Sequence, residues 1–85
     1  MPEYTVRLSR RAEKYLDKLS NNIAEPILKA LSALSHNPRP HGYKKLKGRD
    51  GYRVRVGNYR IIYEIFDRIL VVDVIDLGHR KEIYD

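Results

Sequence analysis

The stretch that most restricts the fold of this chain is YRVRVGNYRIIYEI, residues 52–65. Val54 and Val56 alternate with Arg53 and Arg55, and Tyr59, Ile61, Tyr63 and Ile65 alternate with Arg60, Ile62 and Glu64. This is the period of two expected of half-buried strands. Gly57-Asn58 lies between them, and glycine in the first central position suits a type II′ turn, whose twist matches its flanking strands. That turn sets the register: Val56 opposite Tyr59, Arg55 opposite Arg60, Val54 opposite Ile61 and Arg53 opposite Ile62. Two guanidiniums then face each other with a third diagonally nearby. At about 5 Å their repulsion is roughly 0.8 kcal/mol in water and roughly 3 kcal/mol at an intermediate effective dielectric. Two readings fit the pair. The arginines splay into solvent and cover the sheet with their stems, or they form an anion site, because planar donor forks match phosphate oxygens.

Charge along the chain bears on that choice. Residues 39–60 hold eight Lys or Arg (Arg39, Lys44, Lys45, Lys47, Arg49, Arg53, Arg55, Arg60) against the single acid Asp50. The formal net charge is +6, so the other residues together carry −1. Positive charge gathered in one segment is the footprint expected for nucleic acid, and here it runs from the loop YKKLKGRDG into strands of fixed spacing. Lys44, Lys45, Lys47 and Arg49 are the expected nucleic-acid contacts of this loop.

The remaining elements follow from periodicity. Tyr4, Val6 and Leu8 alternate with Glu3, Thr5 and Arg7 in a first strand, residues 3–9. Ser9 is a fitting N-cap for a helix in which Ala12, Tyr15, Leu16 and Leu19 share one face. A second helix is expected from about Asn22 to Ser35, with Ile23, Ile27, Ala30, Leu31 and Leu34 as its apolar face. Starting it at Asn22 makes Glu25 part of a capping-box-like pattern and confines the cost of Pro26 to the first intrahelical bond. HNPRPHG then stops the helix. After the basic loop come strands near 52–57, 59–66 and 69–77. Placing Asp67-Arg68 in the second turn pairs Ile65 near Leu70 and Tyr63 near Val72. Ile61, Tyr63, Val72 and Val74 then share the face of Val54, where the helices should dock; the arginine face also receives Ile62, Glu64, Asp73 and Ile75. A strand, two helices forming an antiparallel hairpin, and a three-strand antiparallel meander make one α+β domain, residues 1–85.

The chain has no cysteine, which removes thiol nucleophiles, disulfides and thiolate metal sites. His36, His41 and His79 are dispersed, and the glycines form neither a P-loop nor a dinucleotide fingerprint. No metal and no cofactor are expected. No apolar run is long enough to span a membrane, so a soluble, cytoplasmic protein is expected. The chemistry left rests on arginine, lysine, tyrosine and His79. The tail GHRKEIYD, residues 78–85, could bring Arg80 and Tyr84 to the rim of the sheet.

Taken in order, KLKG, then YRVRVGNYRIIYE, then GHRKEIY resemble the RelE/ParE superfamily of bacterial and archaeal toxins, and within it the RelE-like mRNA interferases. The resemblance covers essentially the whole chain. It implies a toxin of a type II toxin–antitoxin system that enters the ribosomal A site and cleaves mRNA, restrained by a RelB-like antitoxin in a hetero-oligomer. The implied reaction is attack of a ribose 2′-hydroxyl on the adjacent phosphodiester without a metal. The implied catalytic residues are Arg53, Arg55, Arg60, Arg80 and Tyr84. Familiar RelE members carry lysines where this chain has Arg53 and Arg55; since arginine does not give up its proton, charge stabilisation replaces general-base duty there. Tyr84 is then the expected base or a stacking residue, with His79 as substitute. The alternatives are a ParE-like inhibitor of DNA gyrase and a non-catalytic RNA-binding module.

Overall fold

The computed structural model describes residues 3–79. In chain order they form β1 (Thr5–Leu8), α1 (Arg10–Asp17), α2 (Asn21–His36), β2 (Lys44–Lys45), β3 (Tyr52–Val56), β4 (Tyr59–Phe66) and β5 (Val71–His79). The strands make one sheet in the order β1-β5-β4-β3-β2. β1 runs parallel to β5, and the other neighbours are antiparallel. The α+β architecture expected from the sequence is therefore present, with one addition. Two residues of the basic loop, Lys44 and Lys45, pair with Arg53 and Tyr52 as a short edge strand.

Both helices lie on one face of the sheet. Ala12 of α1 and Ile27, Leu31 and Leu34 of α2 join Ile61, Tyr63, Val72, Val74 and Leu77 in a single core. Tyr63 is fully buried, and its hydroxyl donates to the Pro38 carbonyl at 2.7 Å; burial pushes this phenol well above its ordinary pKa. The Ser9 side chain accepts from the Ala12 N–H at 3.1 Å, which is the expected cap of α1. The second helix starts earlier than the sequence suggested. Its N-cap is Ser20, whose carbonyl accepts from Ile23 and Ala24. Pro26 consequently falls within the helix and deprives the Asn22 carbonyl of its i+4 donor, so the lost bond is the third of the helix and not the first.

Two further differences lie in β5. The turn before it spans four residues, Asp67–Leu70, rather than two, and Leu70 takes the left-handed region at φ 54°. Ile65 therefore pairs with Val72 and Tyr63 with Val74. This shift by two preserves the expected sidedness of Val72 and Val74. A bulge between the Ile62 and Tyr63 pairs then inserts Ile75, so that Ile62 faces Asp76 and Ile61 faces Leu77. Beyond the bulge the alternation is reversed: Leu77 enters the core and Asp76 joins the arginine face, while Ile75 is left without a paired residue and lines the surface with Arg7, Glu64 and Asp73.

Candidate active site

The site begins at the β3–β4 turn. Gly57 has φ 60° and Asn58 is not among the positive-φ residues, as a type II′ turn requires. Register follows as expected, with Arg55 opposite Arg60 and Arg53 opposite Ile62. In a hairpin closed by two residues, the pair next to the turn exchanges hydrogen bonds and the following pair does not, which brings its Cα atoms to roughly 4.5 Å. Arg55 and Arg60 occupy that closer position.

Rows across the sheet show how the open face is organised, since directly paired residues project to the same side. The row nearest the turn is Arg55, Arg60, Gly78. The next is Lys44, Arg53, Ile62, Asp76. Further along lies Glu64, Asp73, Arg7, where Arg7 holds Asp73 through Nε at 2.8 Å and a second nitrogen at 3.2 Å. Asp73 is thus engaged locally, and the hairpin end of the face is cationic. Splaying into solvent describes only Arg55, which is exposed. Arg60 is half-buried, and Arg53 is only 7% exposed, flanked in its row by Lys44 and Ile62.

The basic loop divides between the faces. Lys44 stands beside Arg53, whereas Lys45 turns to the helix side with Nζ 5.5 Å from the Tyr52 ring centre. Lys47 and Arg49 are exposed on a loop pinned by buried Leu46, whose N–H donates to the Gly51 carbonyl at 3.0 Å. Gly51 has φ 117°, and a Cβ there would come 3.2 Å from the Tyr63 carbonyl oxygen and 3.3 Å from Leu46 Cδ1. Leu46 and Gly51 set where Lys47 and Arg49 sit. A single apolar residue in a cationic run was the available signal for this anchor.

Arg39 leaves the patch altogether. It grips Asp67 through two nitrogens at 3.2 and 2.9 Å, and the Tyr4 hydroxyl donates to the same carboxylate at 2.6 Å. Arg39 first, then Tyr4, holds the Asp67 carboxyl down at about 2. His79 also lies away from the arginines. It pairs with Tyr59, its ring meets the Tyr59 ring edge-on at 5.4 Å, and its N–H donates to the Tyr15 hydroxyl at 3.2 Å. It therefore stands on the helix side rather than beside Arg55 and Arg60. Arg80 and Tyr84 lie outside the described residues. Among those described, no three His, Asp or Glu gather as metal ligands. Gly78, opposite Arg60, had not been singled out, although a glycine within a strand signals a bulge or a close approach.

Comparison with known proteins finds relatives of both the sequence and the fold. The family model described as the ParE toxin of the type II toxin–antitoxin system parDE matches residues 6–84. The mRNA interferase toxin RelE of Escherichia coli K12 is 33% identical over 86 residues, covering 95% of this chain and 90% of that protein. The chain belongs to the RelE/ParE toxin superfamily. The crystal structure of the archaeal RelE–RelB complex from Pyrococcus horikoshii OT3 matches with a TM-score of 0.83 at 28% identity, over 98% of this chain and all of that one. The intact E. coli RelBE complex gives a TM-score of 0.76 at 33% identity, over 89% of this chain and 95% of that one. The fold is that of RelE, and this RelE-like chain is a toxin of a toxin–antitoxin system.

Proposed function

We propose that this toxin is an mRNA endonuclease that cleaves messages on the ribosome, without a metal, and is held inactive by a RelB-like antitoxin. The observation that carries the reading is the row Arg55, Arg60, Gly78, with Arg53 and Lys44 in the row behind it. Guanidiniums held side by side at ladder spacing present donor forks that suit a bound phosphate. The relative's name, mRNA interferase RelE, supplies the substrate class, and the RelE–RelB complexes supply the partner class.

In the proposed reaction a ribose 2′-hydroxyl loses its proton, its oxygen bonds to the adjacent phosphorus, and the bond to the 5′-oxygen breaks. The leaving oxygen takes up a proton. The products are a 2′,3′-cyclic phosphate and a free 5′-hydroxyl. Arg60 and Arg80 stabilise the charge that develops on the phosphorane, and Arg53 and Arg55 position the phosphate. None of these arginines accepts the proton. That duty falls to Tyr84, whose phenolate nearby cations favour. His79, the last described residue, stands one residue beyond the Arg60–Gly78 pair, and Arg80 and Tyr84 follow it in sequence. Lys44, Lys47 and Arg49 bind RNA around the site, and Lys45 does so from the edge.

A second reading has a specific support, because the matching family model is described by ParE: inhibition of DNA gyrase on the same fold. The test is translation in a cell extract with the purified chain, followed by mapping of message 5′ ends. Cuts inside ribosome-occupied codons are expected. Intact messages with gyrase trapped on DNA would replace the nuclease by the gyrase inhibitor.

A further inference from the structure

β1 ends at Leu8 and pairs with β5 only over Val71–Val74. Beyond that, the outer edge of β5 meets α1 instead of a strand. Side chains occupy the outward backbone groups there. Ser9 Oγ donates to the Ile75 carbonyl at 2.7 Å, Asp76 Oδ1 accepts from the Leu77 N–H at 2.9 Å, and the Tyr15 hydroxyl accepts from the His79 N–H at 3.2 Å. An edge filled in this way does not recruit another strand.

Its wall is a groove of about 320 Å³. Arg11, Lys14 and Lys18 line one side at helical spacing i, i+3, i+7, and Leu77 and Gly78 line the other. Asp76 is the one acid among the described lining residues, and Arg11 Nε lies 3.7 Å from it. Three cations therefore face one carboxylate. Gly78 belongs to both surfaces: it lines this groove and stands opposite Arg60. With no side chain at Gly78, the strand edge between the arginine row and the α1 cations is low.

We propose that the groove between α1 and β5 is a second seat for RNA phosphates, continuous with the arginine row across Gly78. This rests on the nuclease reading and extends it from the scissile phosphate to its neighbours. An acidic antitoxin helix is the less suitable occupant. Docking of that kind uses apolar anchors at i, i+3, i+4 and i+7, whereas Leu77 is 2% exposed and the Tyr15 hydroxyl is already engaged. What the groove offers is mobile cationic heads, which suit a flexible phosphate chain. The phosphates come from the message or from ribosomal RNA.

The test compares the full chain with its Lys14→Ala/Lys18→Ala variant in two arms. One measures binding to ribosomes programmed with a message carrying a 2′-O-methyl ribose at the target codon; the other uses that RNA alone as an oligonucleotide. A Lys29→Ala/Arg68→Ala variant, with the same loss of charge elsewhere on the exposed surface, controls for net charge, and melting curves confirm folding. The groove variant is expected to bind programmed ribosomes about five- to tenfold more weakly, with a shallower salt dependence of about 0.7 per lost single-strand phosphate contact, and the control to bind as the wild type does. A parallel loss on the oligonucleotide assigns the phosphates to the message, and a loss on ribosomes alone assigns them to ribosomal RNA. Unchanged affinity and salt slope in both arms, an equal loss in the control, a wild type that binds neither RNA, or weakened binding to the antitoxin alone would each overturn the proposal. With an unmodified message in a parallel cleavage assay, a wild type that cleaves while the groove variant binds normally removes only the groove; a wild type that binds programmed ribosomes but leaves the unmodified message intact removes the nuclease reading instead.

Discussion

At one end of the sheet Arg39 grips Asp67 with two nitrogens while Tyr4 donates to the same carboxylate. At the hairpin end Arg55 faces Arg60, with Arg53 and Lys44 in the next row. All of these cations come from residues 39–60. The first is a clasp tying the residue before β1, the loop after α2 and the turn after β4 together, and its charge is answered inside the fold. The second sets cation against cation at a spacing fixed by strand register. Positive charge in a segment thus has two meanings, and the position of the partner separates them. Asp67 stands 28 residues from Arg39, so only the folded chain reveals the clasp.

The contrast breaks most visibly under Arg60→Ala. Cleavage of ribosome-bound message should fall by about 10² or more if Arg60 supplies a preorganised charge to the transition state, while the melting temperature changes little. Arg39→Ala should do the opposite, leaving single-turnover cleavage near wild type. If both substitutions lower cleavage alike, the two ends of the sheet are not functionally distinct.

At the clasp end, Tyr63→Phe removes the hydroxyl that satisfies the buried Pro38 carbonyl next to Arg39. The loss should be about 1–3 kcal/mol, the usual effect of leaving a buried acceptor without its donor. Urea denaturation measures it, and an unchanged midpoint would show that water replaces the hydroxyl.

A smaller effect concerns acid. Asp67 is held at about 2, below its ordinary 3.8, chiefly by Arg39. A depressed carboxyl contributes stability that is fully present above its unfolded value and lost as pH falls through the folded one. The contribution therefore fades between about pH 4 and pH 2. Asp67→Asn should be less stable than wild type at neutral pH, with the difference narrowing in that window. A variant with the wild-type slope below pH 4 would remove the clasp from the account of acid stability.

These regions also differ in how far the sequence revealed them. The hairpin was legible because its determinants are local: Gly57 supplies the positive φ, and alternation does the rest. α1, its Ser9 cap and the apolar faces of both helices were legible for the same reason. The bulge at Ile75 was not, because it is a property of how β5 pairs with β4 and not of either strand's own alternation. Leu70 in the left-handed region gave no warning, since leucine rarely adopts it. The start of α2 was misplaced because Pro26 was assumed to require an early position. The cations of α1 were hidden for another reason: Glu13 and Asp17 partly offset Arg11, Lys14 and Lys18 in a charge count, yet neither lines the groove that those three residues line.

The central claim is that Arg55 and Arg60 face each other because the fold is built to receive an anion there. The measurement that tests it most directly is thermal denaturation of the wild type and Arg55→Gln in chloride and in sulfate at matched ionic strength. In chloride the variant should be as stable as the wild type or slightly more so, within about 0.5 kcal/mol, because one of two repelling charges is gone. Sulfate should raise the melting temperature of the wild type more than that of the variant, since an anion bound only by the folded state stabilises it by mass action. Equal stabilisation of both proteins by sulfate would contradict the claim and leave the arginine pair as solvated surface.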